Sequence, residues 1–312
     1  MMDGRIPWPE NSEIALNGTV YTLRSASLED PGILYTAIRA NTSAWEDIVI
    51  REIYPKRAAL TRQANGRITA DAGLELLQRA RKTAALGQQA EEQWLQPCGG
   101  HSELVDACGT SYVIRRFPKA LPLHAMVKQG PMPAGAALAW TEQLLVMVES
   151  VHRAGLLHLQ ISPEQLYLEQ NGRLILDYQF LYDRQQLQTY TSPTRQTRYA
   201  APEVRMGYAD EITEAADLYS CCAVLFEMLA GRPLQEEEIV GRQLYGTLQR
   251  ILSDCTTIQR AGLTDLLYRG LHVLPHRRFP SAAAMRSIVS QVAGAAQHSA
   301  ERYHTRASTP RR

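Results

Sequence analysis

The chain has 312 residues, 45% of them hydrophobic, enough to bury the core of one large two-part domain or two ordinary ones, which excludes a disordered or fibrous protein. With 33 Lys and Arg against 32 Asp and Glu, the net charge of +1 gives no global attraction to nucleic acid or to an anionic membrane surface. The five cysteines, Cys98, Cys108, Cys221, Cys222 and Cys255, have neither Cys-x-x-Cys nor metal-ligand spacing; they read as reduced, buried small hydrophobes in a cytoplasmic protein.

In chain order, residues 1–17 are read as an N-terminal extension. Short alternating β-branched and aromatic runs follow at Val20 to Leu23, Ile33 to Ile38 and Ile48 to Ile53, which predicts a three-stranded antiparallel meander. From about Ala70 to Leu95 the composition shifts to Ala, Leu, Gln, Glu, Lys and Arg, a helix with an expected break near Gly87. Two more strands are expected near Glu103 to Ala107 and Ser111 to Arg115, before Pro118 and Pro122 interrupt the pattern. Beyond them the chain is mainly helical: Ala137, Leu138, Thr141, Leu144, Leu145, Val148 and Val151 recur at helical spacing, and Ala215 to Leu229 is an apolar helix ending at Gly231. The fold class is therefore α+β, with a sheet-rich first lobe over 18–117 and a helical second lobe over 118–295. The polar stretch 296–312, with Arg302, Arg306, Arg311 and Arg312, is expected to lack structure. The start carries no basic-then-apolar leader and no run approaches the ~18 apolar residues of a membrane span, so no direct membrane insertion is expected.

The chemistry concentrates between Val151 and Glu203. There the chain carries His158-Leu159-Gln160-Ile161-Ser162-Pro163-Glu164-Gln165, then Asp177-Tyr178-Gln179, then Ala201-Pro202-Glu203, with Asp217 in Ala216-Asp217-Leu218 and Arg278 in His276-Arg277-Arg278-Phe279 further on. In this order and spacing the series resembles the bacterial eukaryotic-like Ser/Thr protein kinases, whose loop reads His-Arg-Asp-Leu-Lys-Pro-x-Asn and whose later signatures read Asp-Phe-Gly and Ala-Pro-Glu. The resemblance covers roughly Val20 to Val292. Ile48-Val49-Ile50-Arg51-Glu52-Ile53-Tyr54-Pro55 also looks like the third strand of a bacterial kinase subgroup.

The resemblance implies a two-lobed protein-kinase-like fold, and it assigns each position a role. Phosphoryl transfer in such proteins is mostly positioning and charge neutralisation. The Gly-rich turn falls at about Ser25 to Gly32, which holds one glycine with Glu29 and Asp30, so phosphate would be repelled. Arg51 takes the place of the strand lysine, with Glu91 or Glu92 as its carboxylate partner by spacing; the guanidinium fork does not reproduce an ammonium. Gln160 stands where the catalytic Asp accepts a proton, and a neutral amide has no useful basicity near pH 7. Leu159 and Ser162 replace an Arg and a Lys. Gln165 replaces the metal-binding Asn, leaving Asp177 as the candidate metal carboxylate. Gln179 replaces a glycine that tolerates positive φ.

His158, Glu203, Asp217 and Arg278 instead match framework positions: His158 and Asp217 hold the loop, and Glu203 with Arg278 forms a buried ion pair. Losses thus fall on the groups that would touch ATP, metal or the attacking hydroxyl. The expectation is a pseudokinase, a regulatory or scaffolding protein in Ser/Thr phosphorylation signalling that requires no cofactor. Two alternatives stay open: a divergent active kinase using Asp177 and Arg51 with Glu164 as base, or a switch that binds ATP and Mg²⁺ weakly without turnover. A protein partner is expected, such as an active kinase or a phosphothreonine-binding module, and no nucleic acid. Thr191, Ser192, Thr194 and Thr197 beside Arg195 and Arg198 form either a phosphorylated docking segment or a polar surface loop.

Overall fold

Alternating strands build a sheet whose central strands are buried on both faces. The computed structural model of the chain describes residues 5–29, 31–39, 48–70, 73–116, 120–177, 181–183, 187, 198–240 and 243–307. The chain divides into two compact units, residues 1–120 with 178–181, and residues 121–177 with 182–312.

In the first unit, strands β1 (Glu13–Leu16), β2 (Thr19–Leu28), β3 (Gly32–Arg39) and β4 (Ile48–Ile53) run as an antiparallel meander, and β7 (His101–Ala107) and β8 (Thr110–Arg116) complete a six-stranded sheet in the order β1-β2-β3-β4-β8-β7. The stretch set apart as an N-terminal extension therefore supplies an edge strand. Asn17 and Gly18, both at positive φ, make the tight turn that folds β1 onto β2. The turn between β2 and β3 is also shorter than the expected span from Ser25 to Gly32. A bulge between Leu23 and Ser25 shifts the register, so that Ser25 to Leu28 pair with Thr36 to Ile33 and the turn shrinks to Glu29–Gly32. Its ends are bonded both ways, Glu29 N to Gly32 O and Gly32 N to Glu29 O, each at 3.0 Å.

A small hairpin, β5 (Leu60–Arg62) and β6 (Ile68–Ala70), precedes the helix α1 (Leu74–Leu95). This helix is unbroken at Gly87, contrary to the sequence expectation. The small residue serves a close approach: a Cβ there would lie 2.8 Å from Leu181 Cδ1. One sheet face, with Ile53 and Val113, packs on Leu77, Ala80 and Ala84 of α1. The opposite face, with Ile50, Tyr35 and Tyr112, is covered by Ile68 of the hairpin and by Trp8.

In the second unit a short β9 (Leu121–Pro122) leads into α2 (Leu123–Val127) and α3 (Ala134–Arg153). Burial of Leu138, Leu145 and Val148 in α3 is worth roughly 1.5–3 kcal/mol each. Two small antiparallel sheets follow, β10 (Leu156–Leu157) with β13 (Tyr182–Asp183), and β11 (Leu166–Leu168) between β9 and β12 (Leu174–Leu176). After α4 (Pro202–Met206), α5 (Glu214–Ala230) is capped by Thr213, whose Oγ1 accepts from Ala215 N, and stops at Gly231 in the left-handed region. It is buried on nearly every side, as its apolar run predicts. Helices α6 (Glu236–Val240), α7 (Leu244–Ile251), α8 (Thr257–Gly270) and α9 (Ala282–Ala307) complete the unit. The last of these enters the stretch expected to lack structure. Ala295, Ala296, Gln297, Ala300 and Glu301 are strong helix formers, and they extend a helix already nucleated on the core. Among the described residues no helix is long and apolar enough to cross a membrane.

Candidate functional site

The loop from His158 to Gln165 is held from beneath by one carboxylate of α5. Asp217 is fully buried; its Oδ1 accepts from Leu159 N at 2.7 Å, and its Oδ2 from His158 N and from His152 Nε2, each at 2.9 Å. Burial pushes Asp217 up, but the hydrogen bonds and charge from His152 and His158 hold it below the usual carboxylate range. The same grip holds Leu159 at φ 59, a conformation that costs a non-glycine residue roughly 1–2 kcal/mol.

His158 is buried with Nε2 2.9 Å from the carbonyl oxygen of Asp177. The proton is therefore assigned to Nε2, and Nδ1 accepts from Gln160 N at 3.3 Å. Burial drives its pKa below the ordinary histidine value, against the opposing charge of Asp217. A neutral ring thus joins the loop to the strand end that carries Asp177.

Gln160 is half-buried, and its Nε2 donates to the Tyr182 hydroxyl at 3.2 Å. The Gln160 side chain is therefore engaged with a phenol and carries no charge. Ser162 is buried at the start of a single 3₁₀ turn, Pro163–Gln165, and its carbonyl accepts from Gln165 N at 3.0 Å. Gln165 in turn accepts from Asp177 N at 2.8 Å through its own carbonyl. Asp177, buried just past β12, is tied to this loop by backbone on both sides. Glu164, the alternative base, is exposed on the turn. Tyr178, Gln179 and the segment with Thr191, Ser192, Thr194, Arg195 and Thr197 lie outside the described residues; Arg198 is exposed.

The anchor below this loop is built to a higher standard. Arg278 and Glu203 pair in bidentate fashion at 2.7 and 2.8 Å, both buried. The remaining guanidinium donors reach the carbonyls of His272, Ala215 and Val273 at 2.7, 3.1 and 3.0 Å, and the cation lies 4.9 Å from the Tyr219 ring centroid. With every N–H answered, the pair avoids the penalty of an uncompensated buried charge.

In the first unit, Arg51 is buried on the α1-facing side of β4. Arg115, fully buried on the neighbouring strand, lies on the same side. Glu91 of α1 meets Arg115 Nη1 at 3.4 Å and accepts from Ser102 Oγ at 2.9 Å. Glu92 faces His101 Nδ1 at 2.9 Å and accepts from Ser102 N at 2.5 Å.

Sequence reasoning missed three groups here. Arg115 was legible as a charge within the buried run of β8. Tyr182 carried no local signal, because only the β10–β13 pairing brings it to Gln160. The third is Glu227 of α5, which hydrogen-bonds the buried Tyr199 hydroxyl and is raised above the usual carboxylate range, by burial first and then by the like charge of Glu164.

Comparison with known proteins finds that residues 103–288 match the family described as the protein kinase domain. The serine/threonine-protein kinase PksC of Streptomyces coelicolor is 28% identical over 206 residues, 62% of this chain and 37% of that protein. Serine/threonine-protein kinase Pkn1 of Myxococcus xanthus is 29% identical over 187 residues, 56% and 27% of the two chains. Human ribosomal protein S6 kinase delta-1 is 29% identical over 143 residues, 46% and 13%. The chain therefore spans 37% or less of the length of these curated relatives.

Proposed function

The chain belongs to the protein kinase family, and from that premise we propose that it works as a pseudokinase: a cytoplasmic regulatory or scaffolding protein in Ser/Thr phosphorylation signalling, with little or no phosphotransferase activity. The observation that carries this reading is Gln160, whose amide occupies the proton-accepting position and is hydrogen-bonded to Tyr182. Losing a positioned general base costs typically 10²–10⁴-fold in rate, roughly the whole contribution of that step.

ATP with Mg²⁺ is the cofactor pair that the family implies, and the donors present do not fit it. Of the two positions that the resemblance gives to metal, only Asp177 is a carboxylate; Gln165 offers a longer, neutral arm, and Ser162 stands where the family carries a cation. Mg²⁺ asks for near-octahedral oxygen at about 2.0–2.1 Å, which this set leaves to the nucleotide alone. The intact Glu203–Arg278 and Asp217 anchors support a folded surface kept for a protein partner, such as an active kinase or a phosphothreonine-binding module.

The test is transfer of labelled phosphate from ATP, with Mg²⁺ or Mn²⁺, to the chain itself and to a generic protein acceptor. The expected result is incorporation no higher than that of the Asp177→Ala variant. Robust transfer that Asp177→Ala abolishes overturns the proposal. A thermal-shift titration with nucleotide reports binding separately, because a ligand that binds only the folded state raises its apparent stability.

A further inference from the structure

The segment before the first strand makes contacts out of proportion to its length. Arg5, buried although it precedes β1, donates through Nη1 to the carbonyls of Glu29, Gly32 at 2.9 Å and Tyr54 at 2.8 Å. Two of these acceptors form the β2–β3 turn, and the third follows β4. Tyr54 N also donates to Pro31 O at 3.1 Å, so the turn and the end of β4 are joined twice.

The same segment is gripped from the sheet. Trp8 N donates to the Tyr35 hydroxyl at 3.0 Å, and Trp8 Nε1 to the Tyr112 hydroxyl at 3.4 Å. Both phenols donate onward to the fully buried carboxylate of Glu52, Tyr35 at 2.9 Å and Tyr112 at 2.6 Å. Arg62, from the β5–β6 hairpin, completes the group: Nη2 meets Glu52 at 2.5 Å, Nε donates to Ile6 O at 2.8 Å, and the cation lies 4.9 Å from the Trp8 ring centroid. Gly66, at φ 79, leaves room for the indole, since a Cβ there would fall 1.9 Å from a Trp8 ring carbon. Further along, Asn11 N donates to Leu23 O and Leu23 N to Ser12 O, at 2.7 and 2.9 Å.

We infer that residues 5–12 form an internal brace, which ties Glu29 and Gly32, the two ends of the β2–β3 turn, to the end of β4 and couples their order to the buried Glu52 cluster. The physical argument is one of closure. The ends of a strand-connecting turn ordinarily fray early, with opening free energies near the low end of the range within a protein. Here its carbonyls are tied by a guanidinium whose own chain position is fixed by the cluster beneath Trp8. Opening the turn must break Arg5's bonds or drag the indole off Tyr35, Tyr112 and Arg62.

The test is amide hydrogen exchange on the full chain, comparing peptides spanning the β2–β3 turn with peptides from α1. Arg5→Ala removes the clamp itself. Tyr112→Phe leaves the turn untouched and removes only a hydroxyl shared by Trp8 and Glu52. The expected result is exchange at the turn about 10-fold faster in Arg5→Ala and about 3-fold faster in Tyr112→Phe, with α1 unchanged. Should Arg5→Ala fail to fold, Arg5→Lys, which keeps the charge and loses the planar fork, takes its place with the same expected direction. Unchanged exchange at the turn in folded variants overturns the brace. So does acceleration shared equally by α1, because that outcome reduces Arg5 and Tyr112 to general contributors to stability.

Discussion

Two carboxylates on the same helix, the fully buried Asp217 near the start of α5 and the half-buried Glu227 near its end, are answered in opposite ways. Burial pushes each pKa up. At Asp217 three donors converge, and the group ends below the usual range. At Glu227 the Tyr199 hydroxyl and the Arg198 charge oppose burial, Glu164 adds a like charge, and among the described residues Oε2 has no hydrogen-bond partner, so the group ends above it. One end of the helix uses its carboxylate to hold a loop in place. The other carries a carboxylate that works against the fold at neutral pH.

The largest effect is expected where the carboxylate is fully used. Asp217→Ala orphans His158 N, Leu159 N and His152 Nε2, each worth about 1–3 kcal/mol when buried without a partner, and it leaves Leu159 unsupported at positive φ. A loss of about 3–5 kcal/mol is expected in urea unfolding, a large share of the stability of an ordinary domain. A loss below about 1 kcal/mol shows that the loop is held by other contacts, and the contrast between the two ends of α5 then disappears.

How much of this was legible differs between elements for physical reasons. Strands β2, β3, β4, β7 and β8 and helices α3 and α5 announced themselves, because alternation and helical periodicity are local properties of the chain. Asn17-Gly18 was an equally local hairpin signal that went unused, and with it β1 was missed. The brace was not legible: Arg5 and Trp8 find their partners at Gly32, Tyr54, Tyr35 and Tyr112, and nothing in their neighbourhood specifies those contacts. Glu52 carried a faint signal, a carboxylate falling on the buried face of an apolar strand. At the loop, residue types alone revealed that Gln160 is uncharged, but its hydrogen bond to Tyr182 depends on a two-residue strand pairing set by tertiary structure.

A middle-sized effect comes from acid. Asp217 has a folded value below its unfolded one, so its contribution is present above the unfolded value of about 3.8 and is lost as the pH falls through the folded value. His158 acts in the same direction by another route. Its folded value is depressed by burial, so below about 6.5 the unfolded chain takes up a proton that the buried ring refuses. Stability measured by urea unfolding is expected to fall as the pH drops from 7 toward 2, through His158 first, and Asp217→Asn is expected to flatten only the part of that decline below about pH 4. A wild-type chain equally stable across this range removes the assignment of a neutral, proton-refusing His158.

The smallest effect, and the one that most sharpens the contrast, is expected at Glu227. Its folded value is raised, so the stability it contributes is fully present below its unfolded value near 4.5 and is lost as the pH rises through the folded value. Glu227→Gln keeps an oxygen for the Tyr199 hydroxyl while removing both the desolvated charge and its repulsion by Glu164. The variant is therefore expected to be more stable than the parent at pH 7, by less than about 1 kcal/mol, and indistinguishable from it near pH 4. Destabilisation at pH 7 would mean that the carboxylate is held by a charge it needs, and that both ends of α5 follow the same rule. If the gain appears, α5 carries at its far end a charge that the fold tolerates and does not use. Proteins keep such groups most often where a surface has work beyond folding.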